Sequence, residues 1–124
     1  MTTGRQGTIL VVDDEEIMRE ILETLLTREG YDVRLASSGT EGLDLARTLP
    51  FDAAIVDIMM PGLDGIQACH RIRSNPATHE VPILIFTALS EEGEAARLAG
   101  ADGLLKKPFS LLVLGQTVRR LCRG

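Results

Sequence analysis

Five residues in this chain are of types and at positions that could carry phosphoryl chemistry: Asp13, Asp14, Asp57, Thr87 and Lys107. Each closes or directly follows an apolar run. Ile9-Leu10-Val11-Val12 leads into Asp13 and Asp14, Ala53-Ala54-Ile55-Val56 into Asp57, Ile83-Leu84-Ile85-Phe86 into Thr87, and Leu104-Leu105-Lys106 into Lys107. Short aliphatic runs bounded by turn signals read as strands buried on both faces. If those strands are parallel neighbours, their last residues share one sheet edge, where ligands of open α/β sheets bind. Three converging carboxylates repel one another unless a cation is present, and a hard divalent ion suits oxygen ligands. Asp57 is then placed to act as nucleophile toward a phosphoryl group. The cation and Lys107 would neutralise the equatorial oxygens, and Thr87 would donate a hydrogen bond to one of them.

The bland reading of each residue alone has weight. Acids ahead of a helix stabilise its N-terminus by about 0.5–2 kcal/mol, which would account for Asp13 and Asp14. An aspartate before a Pro-Gly turn accounts for Asp57. Lys106 reads as a surface lysine, because strand alternation lets only one of two adjacent lysines face the site. The combination of acids, hydroxyl and cation at successive strand ends outweighs these separate explanations.

The elements that must position these groups follow from patterning. Apolar runs begin near Ile9, Val33, Ala53, Val81 and Leu104, each followed by a helical stretch. This alternation predicts an α/β fold, a doubly wound five-stranded parallel sheet with right-handed crossovers. The first helix is expected after Asp14, with Glu15 and Glu16 in its first turn and Ile17, Met18, Ile21, Leu22 and Leu25 on one face, until Gly30 stops it. The second is expected over Gly39–Leu49, ended by Pro50. Asp64 and Gln67 form a capping-box signature for the third, whose Ala68, Cys69 and Ile72 face the sheet. The fourth, Ser90–Ala99, has three glutamates in its first turns and mostly alanine for packing, which makes it a candidate moving surface. The last starts near Ser110 with Leu111, Leu114, Val118 and Leu121 at core spacing.

Composition narrows the function classes. The 124 residues suit one domain, 44% are hydrophobic and 25% charged, and with 3% aromatic the core must be aliphatic. A formal charge of −5 argues against binding a phosphate backbone, so no nucleic-acid partner is expected of this chain. Arg119, Arg120 and Arg123 read as the end of the last helix, where cations complement the dipole. Cys69 and Cys122, far apart, suggest neither a disulfide nor a zinc site. Cys69 reads as core, and His70 and His79 carry no ligand spacing. With no signal-peptide core and no membrane-spanning run, the expected location is the cytoplasm and no membrane partner is expected.

Taken together, Asp13-Asp14, Asp57 with Met60-Pro61-Gly62 and Asp64-Gly65, Thr87-Ala88 and Lys107-Pro108-Phe109 make the chain, over roughly Thr8 to Arg123, resemble the receiver domain of bacterial two-component response regulators, the chemotaxis regulators included. The resemblance implies a flavodoxin-like fold with strand order 2-1-3-4-5 and a single receiver domain over residues 1–124. It implies that Asp57 accepts a phosphoryl group from a phosphohistidine on a sensor histidine kinase or histidine phosphotransfer protein, with Mg²⁺ as cofactor. Asp14 would ligate Mg²⁺ directly, Asp13 mainly through water, and Asp57 and the Met59 carbonyl would complete the set. A cis Lys107-Pro108 bond is also implied, as is a downstream protein target engaged by a surface that changes on phosphorylation. A homodimer through the last two helices and strand is compatible with the Ala-rich fourth stretch and not required by it. The family usually has an aromatic three positions before the lysine; here that position is Leu104, so the reporting ring is missing. Met59 and Leu89, two positions beyond Asp57 and Thr87, are apolar and flank the expected path of a hydrolytic water, which predicts slow self-dephosphorylation.

Two other functions are weighed against this. A Mg²⁺-dependent aspartyl-phosphate phosphatase of haloacid-dehalogenase type also uses an aspartate at a strand end. It requires Asp-x-Asp after its first strand and a cap insertion, and this chain has neither. A flavodoxin-like electron carrier would need a Ser/Thr/Gly-rich loop after the first strand. The expectation is therefore a switch that supports its own phosphoryl transfer and dephosphorylation, with no turnover of an external substrate.

Overall fold

The computed structural model describes residues 7–48, 50–58, 62–87, 100–106 and 110–122, the side chains of Thr87 and Leu111 excepted. Five strands, β1 (Gly7–Val12), β2 (Tyr31–Ala36), β3 (Ala53–Asp57), β4 (Ile83–Thr87) and β5 (Gly103–Lys106), alternate with helices α1 (Glu16–Arg28), α2 (Gly39–Thr48), α3 (Gly65–Ser74) and a C-terminal helix (Leu111–Cys122). All pairings are parallel and the order is β2-β1-β3-β4-β5. The doubly wound reading and its strand order therefore hold. The expected fourth helical stretch, Ser90–Ala99, lies outside the described residues.

Alternation along each strand builds two cores. Leu10, Val12, Ala54, Val56, Ile83 and Ile85 face α2 and α3, meeting Leu43, Ala46, Ala68, Cys69 and Ile72. Their neighbours Ile9, Val11, Ala53, Ile55, Leu84 and Phe86 face α1 and the C-terminal helix, meeting Leu22, Leu26, Leu114 and Val118. Because each central strand is apolar at both parities, helices must cover both faces. Cys69 lies in the first core, as its sequence context suggested.

One expectation is corrected. Ile17 and Ile21, placed on the core face of α1 from sequence, are 72% and 37% exposed, while Leu22 and Leu26 are fully buried. A helix turns about 100° per residue, so the stripe through Met18, Leu22, Leu25 and Leu26 leaves Ile17 pointing away from the sheet. The third helix follows its signature: Asp64 Oδ1 accepts from the Gln67 N–H at 2.9 Å, and Gln67 Oε1 accepts from the Asp64 N–H at 3.0 Å. The C-terminal helix is capped by Ser110, whose Oγ accepts from the N–H groups of Leu112 and Val113. Among the described residues, no helix is long and apolar enough to cross a membrane.

Candidate metal and phosphoryl-transfer site

The direction in which strands are added to the sheet reverses between β1 and β3: β2 lies outside β1, and β4 and β5 follow on the other side of β3. That switch point opens a crevice at the carboxyl ends of the two central strands. Val12 pairs with Val56, so the residues that follow, Asp13 and Asp57, emerge side by side.

Each is held by its surroundings. The Asp13 N–H donates to the Ala36 carbonyl at 3.1 Å, extending the β1–β2 ladder by one residue. Asp13 Oδ1 accepts from the Glu15 N–H at 2.9 Å, and its main-chain oxygen accepts from Arg19 Nη1 at 2.8 Å. The Oδ1 bond turns the backbone toward α1, whose N-cap is Glu15 with no side-chain cap hydrogen bond, so Asp13 is not the helix cap that sequence allowed. Asp57 is the last residue of β3, and the next residue's N–H donates to the Phe86 carbonyl at 2.9 Å. The start of α3 closes over this end of β3. A Cβ on Gly65 would stand 2.6 Å from the Asp57 carbonyl oxygen and 2.7 Å from Ile58 Cα, so only glycine permits the approach.

Carboxylate oxygens of Asp13, Asp14 and Asp57 all lie within 4.8 Å of one another. Asp13 and Asp57 are buried, at 1% and 4% exposure, and Asp14 is exposed. Opposite ligands of an octahedral ion with bonds near 2.1 Å are about 4.2 Å apart, so this set of hard oxygens suits Mg²⁺ after slight contraction. The donor chemistry fits a hard divalent cation and offers nothing to a soft one.

The remaining expected site residues are less fully placed. Thr87 ends β4 beside β5, paired with Lys106. Met59, Lys107 and Pro108 lie outside the described residues, as does Leu89. Lys106 is exposed, in keeping with a surface lysine, and Leu104, on the same face of the strand, is 41% exposed. His70 and His79 are exposed, and His79 Nδ1 lies 2.9 Å from the Pro76 carbonyl. The grooves bordered by α2 and the α3–β4 segment, about 180 and 330 Å³, share no residue with the acid cluster.

Sequence reasoning did not find Arg19. Its signal was present, a cation in the first turn of a helix whose dipole favours anions there.

A doubly wound sheet carrying an acidic triad at its switch point is an α/β protein with a candidate divalent-cation site, and comparison with known proteins names the family. The model for the response regulator receiver domain matches residues 9–119, and the chain belongs to that family, whose members are phosphorylation-activated components of two-component signalling. It is 44% identical over 117 residues to the response regulator MprA of Mycobacterium sp. (strain KMS), covering 93% of this chain and 50% of that protein. The chain thus spans about half the length of the curated relatives it matches. Among solved structures, a response regulator from Chloroflexus aurantiacus is 40% identical with a TM-score of 0.88, over 95% of this chain and 98% of that one. The receiver domain of the sensor histidine kinase PA1611 from Pseudomonas aeruginosa, with magnesium coordinated in its active-site cleft, is 31% identical with a TM-score of 0.88, again over 95% and 98%. The family match leaves the dehalogenase-type phosphatase without support.

Proposed function

We propose that Asp57 is the phosphoryl acceptor of this chain and that Asp13, Asp14, Asp57 and the Met59 carbonyl hold Mg²⁺. The observation that carries this is the convergence of three carboxylates within 4.8 Å at the switch point of a receiver fold. When bound, the cation supplies charge neutralisation for the oxygens of the moving phosphoryl group. Asp57 attacks phosphorus with one carboxylate oxygen, the P–N bond to the donor imidazole breaks, and the released imidazole keeps the bond's electron pair. Lys107 contributes a point charge and Thr87 a hydroxyl donor to the phosphoryl oxygens.

The donor is a phosphohistidine on a sensor histidine kinase or a histidine phosphotransfer protein. The acyl phosphate repositions Thr87 and Lys107 and changes the surface offered to a downstream protein. Leu104 stands where an aromatic would report that movement, so the change is signalled without a reporting ring. Residues 1–124 act as one cytoplasmic receiver domain that binds neither nucleic acid nor membrane and turns over no external substrate. Apolar Met59 and Leu89 slow hydrolysis of the acyl phosphate.

The test is intact mass after incubation with a small-molecule phosphodonor and Mg²⁺. One phosphoryl adduct is expected, absent with chelator and absent in Asp57→Asn. An adduct of unchanged stoichiometry in Asp57→Asn sinks the assignment.

A further inference from the structure

Arg19 stands where its own helix disfavours it. It closes the first turn of α1, its N–H donating to the Glu15 carbonyl at 3.1 Å. The helix N-terminus carries roughly half a positive charge, so a cation there is unfavourable by a few tenths to about 1 kcal/mol unless something else holds it. What holds it is the main-chain oxygen of Asp13, six residues back, which accepts from Nη1 at 2.8 Å. That oxygen belongs to the peptide bond between Asp13 and Asp14. The orientation of this peptide plane fixes where the Asp14 side chain leaves the backbone relative to Asp13. Asp13 itself is held on either side of this plane, its N–H donating to the Ala36 carbonyl and its Oδ1 accepting from the Glu15 N–H. Arg19 supplies the anchor at the plane itself. Its charge also extends to α2: the Glu41 carboxyl lies below its usual range mainly through the Ser37 N–H and hydroxyl, with Arg19 adding to them against desolvation.

We infer that Arg19 is a positioning residue for the phosphoryl-transfer site, holding the Asp13–Asp14 peptide so that both acids face the cation position before the cation arrives. This rests on the reading of the acidic triad as a Mg²⁺ site. Two effects of removing Arg19 oppose each other, which makes the sign of the result informative. As a mere charge, Arg19 repels Mg²⁺, and its loss would tighten binding. As a positioning group, its loss misplaces ligands and weakens binding, by about tenfold on the scale typical of groups that orient metal ligands.

The experiment is calorimetric titration of Mg²⁺ into wild type, Arg19→Gln and Arg19→Lys, with amide hydrogen exchange at residues 14–16 of the metal-free proteins. Arg19→Gln is expected to bind Mg²⁺ about tenfold more weakly and to exchange faster at those amides, with the cooperative unfolding transition retained. Arg19→Lys, which keeps the charge and one donor, is expected to recover part of the affinity. The half-saturating Mg²⁺ for labelling by a small phosphodonor should rise in parallel, while the rate at saturating Mg²⁺ stays close to wild type. Affinity in Arg19→Gln equal to or tighter than wild type overturns the inference. Should Arg19→Gln fail to fold, Arg19→Lys decides, and wild-type affinity there overturns it. A wild type that binds no Mg²⁺ overturns instead the assignment of the triad.

Discussion

The two edges of the sheet use the same residue type for opposite purposes. At the amino edge, Asp52 and Asp102 each stand one residue before a strand and bracket the start of its neighbour. The Asp52 N–H donates to the Thr8 carbonyl at 2.7 Å, and Asp52 Oδ2 accepts from the Thr8 N–H at 2.8 Å. Asp102 repeats the arrangement on Ile83, at 2.8 Å for both bonds. Arg73 completes this edge: its guanidinium donates to Asp102 Oδ2 at 2.5 Å and to the carbonyls of Gly100, His79 and Val81 at 3.0, 3.0 and 2.6 Å. At the carboxyl edge, Asp13, Asp14 and Asp57 crowd together instead. The difference follows from the backbone. The beginning of a parallel strand offers N–H groups that a carboxylate satisfies, whereas its end offers carbonyl oxygens, which repel a carboxylate and favour a cation. One edge uses its carboxylates to tie neighbouring strands together, and the other gathers them where a cation can be held.

The comparison can be broken from either side. The largest stability loss is expected for Arg73→Ala, about 2–3 kcal/mol by chemical denaturation, because charge-assisted bonds vanish and carbonyl groups lose their donor. A loss under about 0.5 kcal/mol would show that the amino edge does not depend on this clamp. Asp57→Asn should act with the opposite sign: without Mg²⁺, relief of like-charge repulsion raises the thermal midpoint by a few degrees, equivalent to about 1 kcal/mol. A fall in midpoint would mean that the carboxyl edge is internally satisfied like the other.

The smallest effect sharpens the contrast with a group that is neutral by burial. Tyr31, 4% exposed, has its phenol pushed up to about 12, first by burial and then by the neighbouring Cys122. A raised pKa means that its contribution is complete below the ordinary value of 10.0 and declines as pH rises from there through about 12. Tyr31→Phe should therefore leave stability at neutral pH within about 1 kcal/mol of wild type and flatten the alkaline decline, followed by thermal unfolding across that range. An unchanged alkaline slope would remove Tyr31 from the account.

Much of this was legible in the chain, and the failures are instructive. The capping box at Asp64 and Gln67 was readable because both partners are local. The stripe of α1 was misjudged because Ile17 and Ile21 are apolar at helical spacing, and nothing local says which of two adjacent stripes meets the sheet. Asp52 and Asp102 drew no notice, since an aspartate before a strand looks like any turn residue until the neighbouring strand supplies its N–H. Arg73 was unreadable for the same reason: its partners lie in two separate segments of the chain.

What the sequence determined by itself is the periodicity: five apolar runs, the first, third and fourth apolar at both parities and so buried on both faces, helices between them, and acids at the ends of the first and third. Only the tertiary structure decided that β1 lies against β3, which brings Asp13 and Asp14 to Asp57, and that Arg19 reaches back to the peptide between the two acids. Local periodicity follows from where each side chain points along its own backbone. Convergence follows from strand order and crossover, and these depend on how the whole set of faces packs together.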